Sequence, residues 1–204
     1  VIGASGGSGQ AFVRAALAHG YTVRAGTHTR PMAEAEGLTV VKCNATVPDD
    51  IARLLQGSTA VVSLIGHVKG SPASVQSDAM RIIIEQMKLQ GIRRIVSLTG
   101  TGVRLPGDTP SLLDKLANSA ISFIDPARIE DGIQHAKLLQ DSELDWVLLR
   151  VLKLTNGGSS PFSLSEHGPA KIFTSREEVA ESIVQLLETD KWTRCAPVVS
   201  QPIL

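Results

Sequence analysis

Apolar runs of strand length alternate along this chain with longer amphipathic segments. The short runs fall at 1–2, 22–25, 38–42, 60–65, 94–98 and 146–151. Between and after them, apolar positions recur at the three-to-four spacing of helices over 9–19, 49–55, 74–90, 126–142 and 176–188. The runs at 60–65 and 94–98 are apolar at successive positions, so both of their faces are expected to be covered. A parallel sheet with helices on each side asks for such strands. The pattern therefore predicts an α/β fold: a doubly wound parallel sheet of Rossmann type, in a single domain over residues 1–204. A strand of two residues is too short for a sheet centre, so further residues upstream of Val1 are expected.

Two stretches break the rhythm, 100–117 and 153–170. Both are rich in Gly, Pro, Ser and Thr and are expected to be long loops. Each follows the carboxyl end of a predicted strand, where open α/β sheets bind ligands, so together they are expected to form a small substrate-side region.

Composition narrows the function. The chain has 204 residues, with Lys+Arg 20 against Asp+Glu 20. A net charge of zero lacks the basic excess of a nucleic-acid binder. Hydrophobic residues at 43% exclude a disordered chain. No apolar run reaches the ~18 residues of a membrane span. Cys43 and Cys195 lie far apart and form no CxxC pair, so two buried thiols in a reducing, cytoplasmic compartment are expected. His19, His28, His67, His135 and His167 show no ligand spacing, and no metal site is expected.

The opening VIGASGGSGQAFVRAALAHGYTV carries the chemistry. Gly3, Gly6 and Gly9 stand at three-residue spacing, after a strand and before a helix. Gly3 permits the tight turn, Gly6 lets a phosphate approach the backbone, and Gly9 lets the helix lie close to the sheet. The amides at Gly7 and Ser8 and the positive end of the helix face a diphosphate, with the Ser5 and Ser8 hydroxyls as further donors. The same residues also satisfy the nucleophile-elbow pattern GxSxG, with Ser5 as the nucleophile of a hydrolase. That alternative leaves Gly9 unexplained.

The nucleotide is read from the end of the second strand. An NAD site places an acid there for the ribose hydroxyls. Residues 25–30 read AGTHTR, with no acid until Glu34. His28 and Arg30 suit a 2′-phosphate, which favours NADP over NAD. Asn44, with Ala45 beside it, is placed to reach the adenine. Gly66, with Ile65 before it, is placed to let the backbone pass close to the cofactor.

The motifs GASGGSG, NAT after the third strand, SLIG after the fourth, SLTGTG after the fifth and LDWVLLR before the sixth resemble the atypical short-chain dehydrogenase/reductase superfamily. The nearest resemblance is to its NAD(P)H-binding group, with the flavin/biliverdin-IXβ reductase-like and NmrA-like proteins, and it extends to about residue 190. It implies an NADPH-dependent oxidoreductase that passes hydride to a small planar acceptor such as a flavin or quinone. The alternative it implies is a non-catalytic NADP(H)-binding redox sensor of NmrA-like type. The only expected partner is a small-molecule substrate, and monomer and homodimer both stay open.

The superfamily's Tyr-x-x-x-Lys pair is missing. The single tyrosine, Tyr21, precedes the second strand. In the helix that would carry the pair, Ile129, Ile133 and Ala136 have the spacing of a buried face. Lys137 then projects near that face and is the candidate for the nicotinamide ribose, whereas His135 should point away. The flavin-reductase-like group has a His just before this Lys; here that place is Ala136. A Ser common in the family after the fifth strand is Gly100 here, so Thr99 or Thr101 is expected to substitute, Thr99 also facing the cofactor. Arg150, where the family has Arg-Pro, is expected in a structural ion pair, and Trp146 and Trp192 as core or cover.

Overall fold

The computed structural model describes residues 1–68 and 70–202. In chain order its elements are α1 (Gly7–Ala18), β1 (Val23–Thr27), β2 (Leu38–Lys42), α2 (Pro48–Leu55), β3 (Ala60–Ser63), α3 (Val75–Leu89), β4 (Arg94–Gly100), α4 (Leu112–Ile124) and α5 (Pro126–Gln140). There follow β5 (Asp145–Val151), β6 (Lys153–Thr155), β7 (Ser163–Ser165), β8 (Phe173–Ser175), α6 (Arg176–Leu187) and β9 (Val198–Ser200).

The expected strand at 1–2 is reduced to Ile2, which pairs in parallel with both Gly26 and Ser63. It thereby links the parallel β1–β2 pair to the sheet β3-β4-β5-β9-β7. Pairing is parallel from β3 to β9, and only β7 runs antiparallel, on β9. The sheet is thus doubly wound and mostly parallel, with an antiparallel edge that the sequence pattern did not reveal.

Successive strand residues feed opposite cores, as the pleat requires. Val61, Ile95, Trp146 and Leu148 pack under α2, α3 and α5 with Ile51, Leu54, Ile83, Met87 and Leu139. Val62, Val96, Val147 and Leu149 pack under α1 and α6 with Phe12, Val13, Val179 and Ile183. This two-sided burial is why the strands read as unbroken apolar runs.

Two expected loops hold structure. The stretch 100–117 runs into α4, whose only buried residue is Asp114, while Leu112, Leu113, Leu116, Phe123 and Ile124 are exposed. Apolar residues on the outer surface leave no amphipathic contrast to read. The stretch 153–170 contains β6 and β7, with β6 pairing to β8.

Arg150 pins both stretches to the end of β5. Its side chain is fully buried, with Nε donating to the Ala196 carbonyl at 2.7 Å. The two terminal nitrogens donate to Asp108, to the Val103 carbonyl and to the Glu166 carbonyl. Burial pushes the Asp108 carboxyl up, but Arg150 and the Leu105 N–H more than reverse this and hold it below the usual range. The expected ion pair is therefore present. Trp146 is buried and Trp192 half-buried; Cys43 is buried, whereas Cys195 is only partly so, and both are free thiols.

Replacing Asp108 by Asn strands a buried guanidinium. The expected loss is about 3–5 kcal/mol in urea unfolding, far above the value for an exposed pair. The Arg93–Asp145 pair, 65% and 34% exposed, is the control.

Candidate active site

The glycine turn brings α1 hard against the first segment. Gly3 has φ +79°, and a Cβ there would stand 2.9 Å from the Leu64 carbonyl oxygen. A Cβ on Gly9 would stand 2.2 Å from the Gly3 carbonyl oxygen. Neither position admits a side chain. The N-cap Gly6 supplies no side-chain cap to α1, so the first-turn amides are not spent on a protein side chain. Gly6, Gly7 and Ser8 instead open onto a cleft of about 490 Å³. Its other walls are 64–68 after β3, 98–103 at the end of β4, 151–154 after β5, and side chains of α4 and α5. This is the carboxyl end of the sheet, the ligand position of open α/β folds.

A diphosphate fits the turn. Bare amides and the helix dipole meet it from α1. A Cβ on Gly7 would lie 2.5 Å from Arg176 Nε, so the guanidinium rests directly over the turn. Arg176 also donates to Asn156 Oδ1. Sequence reasoning missed Arg176 because its approach comes from the first residue of α6, far along the chain.

The opposite wall is built on α5. Asp131 is buried and accepts from the backbone N–H of Gln76 at 2.8 Å and of Ser77 at 3.0 Å, and from Ser77 Oγ. It caps α3, whose own N-cap Ser74 makes no side-chain cap bond. His67 Nε2 lies 3.1 Å from Asp131 Oδ2. One turn further along α5, His135 Nε2 meets Ser97 Oγ at 3.0 Å, while its Nδ1 is buried without a partner. Burial pushes His135 down to about 4, and the nearby Asp131 only partly opposes this.

The structure corrects the sequence reading of this helix. Asp131, Gly132, His135, Ala136 and Leu139 are its buried residues, while Ile133 is 41% exposed. His135 therefore points inward, and Lys137 is exposed and outside the cleft. A polar inner stripe beat the apolar spacing because Asp131 and His135 find partners inside.

The remaining expected residues divide. Thr99 and Thr101 both line the cleft, but Thr101 Oγ1 donates to Asp114 Oδ1 at 2.9 Å, so its proton is already directed away. Ile65 and Gly66 line the cleft as well. Asn44 is committed locally, its Oδ1 accepting from the Thr46 N–H and Oγ1. Ala45 and Ser5 are half-buried and outside the cleft, and the Ser5 carbonyl accepts from Gln10. His28 and Arg30 are exposed just past β1. The cleft residues His67, Gln76, Arg128 and Lys153 were not foreseen. His67 alone carried a usable signal, standing directly after Gly66 at a strand's carboxyl end.

Fold and turn together define a dinucleotide-binding protein of Rossmann type. The family described as NAD(P)H-binding matches residues 3–190, and the chain belongs to that family. Among solved structures it is similar to a short-chain dehydrogenase/reductase from Veillonella parvula DSM 2008 in complex with NADP, at 20% identity and TM-score 0.77, covering 98% of this chain and 93% of that one. It is similar also to ChuY, an anaerobilin reductase from Escherichia coli O157:H7, at 18% identity and TM-score 0.75, covering 100% and 96%. An oxidoreductase from Lactococcus lactis matches at 14% identity and TM-score 0.75, covering 98% and 89%.

His135 makes stability depend on pH. It stays neutral in the fold down to about 4, against an ordinary 6.5. Below 6.5 the unfolded chain takes up the proton first, so stability falls on acidification until pH 4. The expected loss is on the order of 3 kcal/mol. Urea unfolding of His135→Gln at pH 6.5, 5 and 4 should show a correspondingly flatter dependence than the wild-type chain.

Proposed function

We propose that this protein is an NADPH-dependent reductase that passes hydride to a small planar acceptor such as a flavin or quinone. The observation that carries the reading is that one cleft is lined both by the bare amides and Arg176 and by apolar Leu98, Val103, Ile121, Ile129 and Leu154. The reduced nicotinamide supplies the hydride. The chain's own residues orient the reactants and exclude water, which is most of what such a transfer asks of a protein. Gly6, Gly7, Ser8 and Arg176 hold the diphosphate. His28 and Arg30, exposed beyond β1 with no acid before Glu34, take the 2′-phosphate and select NADP. Thr99 and Gly66 pass beside the nicotinamide half. No helix among the described residues is long and apolar enough to cross a membrane.

The second reading is a redox sensor that binds NADP(H) without turnover. The missing tyrosine and the commitment of the Thr101 hydroxyl to Asp114 favour it.

NADPH oxidation followed with FMN, riboflavin and menadione decides between them. Turnover with any acceptor supports the reductase. No turnover, with calorimetry showing one redox form of the cofactor bound more tightly, supports the sensor. The combined His28→Ala and Arg30→Ala changes should raise the Kd for NADPH about tenfold and leave that for NADH within about twofold.

A further inference from the structure

We propose that His67, oriented by Asp131, is the proton donor of this cleft and does the work of the absent tyrosine; this rests on the reductase reading. His67 follows Gly66 on the loop after β3 and lines the cleft, with its side chain 13% exposed. Its Nε2 lies 3.1 Å from Asp131 Oδ2 and 3.0 Å from the Ala73 carbonyl oxygen. A carbonyl only accepts, so Nε2 carries a hydrogen and donates it to the Ala73 carbonyl, while the Asp131 carboxylate lies beside the ring at ion-pair distance. Nδ1 makes no hydrogen bond among the described residues. It is the ring atom left to exchange a proton with a bound acceptor.

Asp131 is suited to hold the ring. It is 2% exposed and cannot swing away, because the Gln76 and Ser77 amides and Ser77 Oγ fix both of its oxygens. An acid–histidine pair works this way: the carboxylate sets tautomer and orientation while the far nitrogen moves the proton. Asp131 is accordingly a positioning residue. Two other hydroxyls of the site are less available, since Thr101 donates to Asp114 and Ser97 contacts His135 behind β4.

The step balances. Hydride arrives at one atom of a conjugated double bond in the acceptor. The π pair at the other atom forms a bond to the Nδ1 proton of His67 in its doubly protonated, imidazolium form. That N–H bond breaks, leaving its electron pair on the ring, and solvent reprotonates Nδ1. With the hydride from the reduced cofactor and the proton from His67, the acceptor gains two electrons and two protons. The substrate class is therefore an acceptor that must be protonated as it is reduced, such as a quinone oxygen or a conjugated carbonyl.

The test compares wild type with His67→Gln, whose amide can still donate to the Ala73 carbonyl but holds no ring proton. With menadione, kcat should fall about 100-fold, and the solvent deuterium isotope effect on wild-type turnover should be lost. The NADPH Kd, from fluorescence titration, should stay within about threefold, which also certifies the fold. Independently of turnover, nitrogen-15 spectra of histidine-labelled wild type should show hydrogen on Nε2 of His67, and its ring signals should move on adding NADP⁺ while those of His19 do not. Equal kcat in the two proteins overturns the assignment to His67 and leaves the reductase reading standing. Absence of turnover in both overturns both. A ring carrying its hydrogen on Nδ1 alone, with Nε2 bare, overturns the orientation by Asp131.

Discussion

The contact between Gly9 and the Gly3 carbonyl sets the geometry of everything around the cleft. A Cβ on Gly9 would stand only 2.2 Å from that oxygen, so helix and turn meet backbone to backbone. No side chain mediates the distance, so nothing can relax it. α1 is thereby fixed against the sheet, and its first-turn amides converge on one point in front of the strands. Gly3 transmits the constraint sideways, since its own Cβ would press on Leu64 and Ile65. The floor of the cleft and its β3 wall are therefore one rigid piece.

The facing wall solves a different problem with different means. α5 turns Asp131 and His135 inward at a spacing of one turn, among residues that are otherwise core. A buried carboxylate is tolerable only when satisfied. Asp131 achieves this by capping α3, a helix that lacks a cap of its own. The bond that stabilises the acid is the bond that joins the two helices, and His67 Nε2 lies 3.1 Å from one of the same oxygens. His135 is less well served: its Nδ1 has no partner, and burial lowers its pKa to about 4. One wall thus presents backbone dipoles, while Asp131 and His135 lie buried behind the other and His67 alone of this group lines the cleft.

Legibility in the sequence follows this division. The glycine turn was readable because its physics is local: three positions without side chains, a strand before and a helix after. The sheet was readable because burial on both faces leaves unbroken apolar runs at 60–65 and 94–98. Arg150 was readable as a buried cation that must find an anion, though not which one. α5 was misread because apolar spacing assumes that inward residues are apolar; Asp131 and His135 break that assumption with partners from α3 and β4, which are distant in sequence. α4 was missed for the converse reason, its Leu and Phe facing outward and its buried position an aspartate. Arg176 reaches Gly7 across most of the chain, a proximity that no spacing rule encodes.

The mouth of the cleft is tied down by charge rather than by regular structure. Arg150 holds Asp108, Arg104 holds Asp114, and Lys171 holds Glu178, which also accepts from the Ser160 N–H and Oγ. Each acid is nine-tenths buried or more, so these pairs are not the screened surface kind. They consume both carboxylates of the stretch 100–117 and the buried Glu178 of α6. What remains to line the cleft among the described residues is Arg128, Lys153, Arg176 and His67, with no acid. The same pairing that stiffens the mouth therefore leaves the cleft with an uncompensated positive field, weakly screened by a partly apolar wall. A ligand carrying phosphates is drawn to such a field at the end where the bare amides lie. Leu98, Val103, Ile121, Ile129 and Leu154 line the same cleft, so charged and apolar contacts are offered side by side rather than at separate sites.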